Sequence, residues 1–129
     1  MALKGKSAVC VIENDNGELL LQKKTMNYNK NPGCWAFFGG GVEKDESIED
    51  AMVRELKEEI GVKIGVKFLF KMDKEVLLHV FHGKLNDLSK ISLGEGAGFA
   101  FFAKEELEDL KLTKFMRIIL DKYFEIKND

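Results

Sequence analysis

Short apolar runs broken by turn residues fill the first third of the chain. Ser7 to Glu13 (SAVCVIE) is rich in β-branched residues, Asn14-Asp-Asn-Gly17 carries turn chemistry, and Glu18 to Lys24 (ELLLQKK) is strand-like again. The pattern predicts a hairpin over residues 7 to 24. Thr25 to Gly33 is polar and contains the only proline, Pro32, so it reads as a loop into the apolar piece Trp35-Ala-Phe-Phe38. A glycine triplet, Gly39 to Gly41, ends that piece.

From Ser47 the period changes. Ile48, Met52, Leu56 and Ile60 recur every fourth residue with Val53 beside them, which predicts a helix of about four turns. Ser47-x-x-Asp50 resembles a capping box at its start, and Gly61 suits the left-handed position past its end.

Lys63 to Met72 and Glu75 to Lys84 read as strands joined by a turn at Asp73-Lys74. The first alternates through Val66, Phe68 and Phe70, whereas Val76 to Phe81 is more continuously apolar, as a central strand would be. After a looser stretch, Asn86 to Ala97, a last strand is expected at Phe99 to Phe102 and a helical turn at Lys104 to Leu107. Leu112, Phe115, Met116, Ile119, Leu120 and Tyr123 form the apolar stripe of a closing amphipathic helix over 112 to 124. With no repeat or linker, one layered α/β or α+β domain over residues 1–129 is expected.

Composition narrows the functional classes. A chain of 129 residues that is 45% hydrophobic can build a core without disulfides or metal staples. Basic and acidic residues nearly balance, 20 against 22, so the net charge of -2 argues against an extended nucleic-acid or anionic-membrane footprint. An anionic ligand therefore needs a local site. Cys10 and Cys34 lack metal-type spacing and read as core thiols. No apolar run approaches the roughly 20 residues of a membrane span, and no signal-type stretch opens the sequence, so a cytoplasmic setting is expected.

The chemistry lies on the first predicted helix. Glu55, Glu58 and Glu59 fall at i, i+3 and i+4, within one narrow arc beside the apolar face. Taken alone, this reads as a solvated acidic face countered by Lys44, Arg54 and Lys57. Hard divalent cations, however, take carboxylate and phosphate oxygens, and the glycines 39 to 41 allow close backbone approach. Read as one pattern, Gly40-x5-Glu46-x7-Arg54-Glu55-Leu56-x-Glu58-Glu59-x-Gly61-Val62 fills every position of G-x5-E-x7-R-E-U-x-E-E-x-G-U, where U is a bulky aliphatic residue. That is the signature of the Nudix hydrolases, which this chain resembles.

The resemblance implies an α/β/α sandwich around a mixed β-sheet. It also implies hydrolysis of a pyrophosphate bond in a nucleoside diphosphate linked to another moiety, with Mg²⁺ or Mn²⁺. Carried over by the motif, Glu55, Glu58 and Glu59 are the metal ligands, joined by the Gly40 carbonyl. Glu55 or Glu59 is also the candidate water activator. Arg54 would orient glutamates rather than touch substrate, and Glu46 would pair with it. Some relatives place the base on a loop before the last strand, where Glu95 lies, and a basic pair like Lys23 and Lys24 touches phosphates in others. Phe37 and Gly39, next to the box, are further candidate substrate contacts; Phe81, Phe99 and Phe101 are alternatives for stacking a base, although strand aromatics commonly belong to the core. His79 and His82 read as satisfied structural histidines.

Many relatives carry Pro-Gly-Gly where this chain has Phe38-Gly39-Gly40, a departure that bears on turn rigidity and substrate preference. Proline and tyrosine markers of the ADP-ribose and dinucleoside polyphosphate hydrolases are missing downstream of the box. The expected substrate is thus an NTP or modified dNTP giving NMP and pyrophosphate. A nucleotide sugar or other NDP-X remains an alternative, as does a non-catalytic nucleotide sensor. The expected partner is a small-molecule nucleotide, the expected assembly a monomer or homodimer.

Overall fold

The structure is a computed structural model that describes residues 5–24, 33–73, 76–91, 98–113 and 115–128. Strands β1 (Lys6–Glu13) and β2 (Leu19–Lys23) form the expected hairpin. The Asn14 side-chain carbonyl accepts from the N–H groups of Asn16 and Glu18, and Gly17 takes φ 79°, so the turn residues act as their chemistry suggests.

The two strands pair only at Ile12↔Leu20 and Glu13↔Leu19 and then diverge. Into this fork pass β3 (Trp35–Ala36) and β4 (Phe38–Gly41). β3 pairs with β2 at Gln22↔Ala36, and β4 pairs with β1 at Ala8↔Gly40 and Val9↔Gly39. The glycine turn is thereby fixed beside the strand that carries Gln22. Along its other edge β1 pairs in parallel with all of β6 (Leu77–Lys84), and β5 (Val66–Asp73) closes that side antiparallel to β6. β7 (Gly98–Phe102) pairs with the outer edge of β2. β6 is internal, as its continuous apolar run suggests.

Alternation along the strands sends side chains to two faces, each covered by a helix. On one face Cys10, Ile12, Leu20, Phe38 and Phe81 pack against Ala51, Met52, Leu56 and Ile60 of α1 (Ile48–Ile60). On the other, Val11, Leu21, Phe37 and Val80 meet Leu107 of α2 (Lys104–Leu107) and Met116, Ile119, Leu120 and Tyr123 of α3 (Met116–Lys127). The result is the expected α/β/α sandwich on a mixed sheet. Each fully buried side chain of the size of Met52, Leu56 or Ile60 contributes about 1.5–3 kcal/mol.

At the start of α1 only the Ser47 half of the predicted capping box forms, and its end is built as the spacing predicts. The Ser47 hydroxyl accepts from the Asp50 N–H at 3.0 Å, and Gly61 sits at φ 72° with its N–H on the Lys57 carbonyl. Phe38 stands where many relatives have proline. It is fully buried under α1 and paired with Cys10, so this position anchors β4 through packing and sheet pairing rather than through a rigid ring.

Four expectations need correction or restriction. Val66, Phe68 and Phe70 do not share a face, because the ladder shifts between Phe68 and Phe70. Phe68 stays opposite Phe81 at 46% exposure, while Phe70 turns into the α3-side core. The last helix begins at Met116 rather than Leu112, since Leu112 bridges Trp35 in parallel and the flanking Lys111 C=O and Thr113 N–H bond to the Trp35 backbone. Of the histidines, His82 has a partner in Glu13 at 3.0 Å, but the buried Nδ1 of His79 has none among the described residues. Lys74, most of the loop before Gly33, and Glu95 lie outside the described residues.

Cys10 and Cys34 are buried free thiols, and burial pushes Cys10 up to about 12. Among the described residues no helix is long and apolar enough to cross a membrane.

Candidate active site

The fork in the sheet sets the floor of the site, and the last turns of α1 set its wall. Leu56 and Ile60 are held in the core, which fixes the rotation of α1 and presents Glu55, Glu58 and Glu59 on the adjoining arc. Glu55 and Glu58 share the Arg54 guanidinium, and Glu59 takes donors of its own.

Glu59 turns inward and is 6% exposed. The Gly39 N–H donates to its Oε1 at 2.8 Å, and the side-chain amide of Gln22 donates to its Oε2. Burial pushes its pKa up to about 7; the Gln22 and Gly39 hydrogen bonds and the Lys24 charge oppose that rise, and the Glu55 charge adds to it. Glu59 is thus a desolvated carboxylate gripped by two uncharged donors.

Arg54 organises the outer part. Its Nε and Nη2 donate to the two carboxylate oxygens of Glu46 at 2.8 and 3.0 Å, a bidentate pair. Nη1 reaches Glu55 at 3.1 Å and Glu58 at 3.4 Å, and Nη2 also donates to the Gly41 carbonyl at 3.0 Å. Hydrogen bonds from Arg54, then from the Glu43 N–H, hold the Glu46 carboxyl below the usual range, and Glu46 in turn keeps Arg54 firmly protonated. Glu46 therefore locks the guanidinium, which spans the helix and the glycine turn.

Two of the glycines are required, for different reasons. At Gly39 φ is 155°, and a Cβ would lie 2.1 Å from the Ala8 carbonyl oxygen, so a side chain would break the β1–β4 pairing. At Gly40 a Cβ would lie 2.5–2.7 Å from the Glu55 carboxylate. Gly40 leaves the space into which Glu55 projects.

No three acidic, histidine or cysteine side chains among the described residues are gathered tightly around one point. The carboxylates share one arc of α1, as the spacing predicts, but they are split between two sets of donors, Arg54 for Glu55 and Glu58 and the Gln22 and Gly39 N–H groups for Glu59. The donor chemistry nonetheless fits a hard divalent cation. It offers three carboxylates, backbone oxygen on the glycine turn, a buried anion balanced by uncharged donors, and a glycine that keeps Glu55 against the turn.

Of the candidate substrate contacts, Gly39 lies in the site through its N–H. Lys24 is close enough for its charge to act on Glu59. Lys23 is exposed and, by strand alternation with Gln22, projects to the other face. The Phe37 side chain is buried in the α3-side core; only its carbonyl faces the site's support, accepting from Gln22 at 3.4 Å. Gln22 also belongs to the site, and one polar residue at the end of an apolar strand carries no local signal of that role.

Comparisons with known proteins bear on the family and the fold. The NUDIX domain family matches residues 3–123. Proteins named nucleoside triphosphatase NudI are similar over part of the chain. The one from Enterobacter sp. (strain 638) is 38% identical over 64 residues, 50% of this chain and 45% of that protein. The one from Escherichia fergusonii is 42% identical over 62 residues, 48% of this chain and 44% of that protein. The match thus spans less than half the length of these relatives.

Among solved structures, a MutT protein from Methanosarcina mazei Go1 superposes with TM-score 0.76 at 24% identity, covering 100% of this chain and 99% of that one. A MutT NUDIX hydrolase from Burkholderia pseudomallei gives TM-score 0.81 at 24% identity, covering 93% and 98%. These likenesses carry the fold. The family match along nearly the whole sequence shows that this chain belongs to the NUDIX domain family.

Proposed function

We propose that the protein is a divalent-metal-dependent hydrolase that cuts a pyrophosphate bond, with an NTP or modified dNTP as substrate and NMP and pyrophosphate as products. The observation that carries this reading is the intact acidic constellation around Arg54. Glu46 clamps the guanidinium, the guanidinium holds Glu55 and Glu58 beside the glycine turn, and Glu59 is buried behind them. Non-catalytic modules of this fold typically lose box glutamates, and this chain retains all of them. The names of the NudI relatives, nucleoside triphosphatases, favour the triphosphate over a nucleotide sugar or other NDP-X.

Glu55, Glu58, Glu59 and the Gly40 carbonyl would hold Mg²⁺ or Mn²⁺, whose chemistry when bound is to offset pyrophosphate charge and to activate water. Glu59 and Glu55 are the two candidates within the box for taking the proton of the attacking water. Glu95, which precedes β7 in the sequence, is a third. Arg54 orients the ligands without touching substrate. The Gly39 backbone and Lys24, on the Glu59 side, are the candidate phosphate contacts, whereas Lys23 projects to the other face. On the opposite side of the fork, Phe37 lines an apolar hollow of about 150 Å³ with Val9, Ala36, Leu78, Met116 and Ile119, which suits the flat apolar part of a nucleotide.

The test is a panel of NTPs, modified dNTPs, nucleotide sugars and dinucleoside polyphosphates with Mg²⁺ or Mn²⁺, read by separate detection of pyrophosphate, phosphate and monophosphate. Release of pyrophosphate from a triphosphate is the expected result. Tight nucleotide binding with no turnover on any member would replace this reading by the sensor.

A further inference from the structure

Gln22 is 1% exposed on a strand whose neighbours on the same face are core residues, and nothing in the box signature includes it. A buried amide must find partners for two N–H groups and a carbonyl. The Gln22 amide nitrogen finds two acceptors, the Glu59 carboxylate and the Phe37 carbonyl. The Gly39 N–H takes the other oxygen of Glu59. With one donor on each oxygen, the carboxylate plane is fixed, and its remaining lone pairs are free to face a cation.

The origin of this grip is the fork in the sheet. β3 and β4 wedge between β1 and β2, so Gln22 on β2 and Gly39 on β4 come to lie side by side under the last turn of α1. An apolar residue at position 22 would satisfy the core equally well but would leave Oε2 of a buried carboxylate without a partner. Without that donor the side chain of Glu59 has a reason to rotate away.

We propose that Gln22 is a positioning residue that orients Glu59 for the divalent cation, acting from outside the box. This rests on the metal-binding reading above. A supporting residue of this kind typically changes metal affinity or turnover by about 10–100-fold when removed.

The test uses the full chain and Mn²⁺ alone, with free Mn²⁺ followed by electron paramagnetic resonance, in wild type, Gln22→Met, Glu59→Gln and the double variant. Gln22→Met keeps the volume and removes the donor. The expected result is Mn²⁺ binding weakened by about 10-fold or more in Gln22→Met, and no further weakening when Gln22→Met is added to Glu59→Gln. With saturating metal, kcat should fall while the nucleotide KM stays near wild type. Should Gln22→Met not fold, Gln22→Asn keeps an amide but withdraws its reach, and the same loss is expected.

Wild-type Mn²⁺ affinity in Gln22→Met or, where that variant does not fold, in Gln22→Asn would overturn the proposal. So would an equal loss in the Glu59→Gln background, which would mean a merely structural role. If Glu59→Gln itself bound Mn²⁺ as wild type does, the metal-site reading would fail instead, and the two failures are thereby distinguished.

Discussion

Two glutamates are buried to nearly the same degree and treated in opposite ways. Glu13, at the end of β1, is 8% exposed, and Glu59, at the end of α1, is 6% exposed. Burial raises the pKa of both, but Glu13 is gripped by the Lys127 ammonium, by His82 and by the Tyr123 hydroxyl at 3.0 Å, and ends below the usual carboxylate range. Glu59 is gripped by an amide and a backbone N–H and ends near 7. The first site is complete within the chain and ties the C-terminal helix to β1 and β6. The second keeps a buried anion that neutral donors only partly stabilise, and it is the one beside the glycine turn. Lys24 offsets that cost only in part, and a buried carboxylate whose direct donors are all uncharged is the physical mark of a site that takes a further cation from outside.

The sharpest way to break this contrast is to neutralise each carboxylate. Glu59→Gln should lower kcat by about three orders of magnitude or more while leaving the metal-free fold as stable as wild type or more so, measured by turnover and by chemical denaturation. Glu13→Ala should show the reverse pattern. It strands Lys127, His82 and Tyr123 and is expected to cost about 3 kcal/mol of stability, with Mn²⁺ affinity unchanged at low temperature. A Glu13→Ala variant that bound Mn²⁺ an order of magnitude more weakly would erase the distinction.

The glycines separate the same two kinds of role within the site. Gly40→Ala meets only the mobile end of Glu55, so the fold should persist while metal affinity and kcat drop by about 10-fold or more. Gly39→Ala meets the Ala8 backbone in a conformation closed to side chains, and its first effect should be a lowered melting temperature.

pH gives a further, smaller test. A carboxyl raised from its usual 4.5 to about 7 contributes stability that is present below about pH 4.5 and is lost as pH rises through 7. For Glu59 this is on the order of a few kcal/mol in metal-free protein. Thermal melts from pH 5 to 8 should therefore show a decline that saturating Mg²⁺ flattens. Glu13 has the opposite sign. Its pairing stabilises above the usual carboxylate range and is lost only as pH falls through its lowered value, below about 4.5.

What the sequence reveals follows the range over which each signal acts. The caps of α1, its apolar face and the hairpin turn are local, and Ser47, Gly61 and Asn14 perform as their spacing suggests. The box glutamates are legible because one helix carries three of them and Arg54. Glu13 meets His82, Tyr123 and Lys127 across separations of 69, 110 and 114 residues, and no local pattern announces a network of that reach. Gln22 is hidden for the same reason, since its partner lies 37 residues away. The β5 bulge reverses a face that strict alternation would have kept, and Leu112 exchanges a helical position for a bridge to Trp35. In each case a tertiary pairing overrides a pattern that was locally sound.

The most direct test of the central claim is calorimetric titration of Mg²⁺ into the protein near pH 6.5, in two buffers of different ionisation enthalpy, so that proton release is counted. If Glu59 is the buried anion that the cation neutralises, wild type should release more than about half of one proton per metal bound, and Glu59→Gln should release almost none. Equal proton release from both proteins, or tight Mg²⁺ binding by wild type with no release at all, would contradict the account.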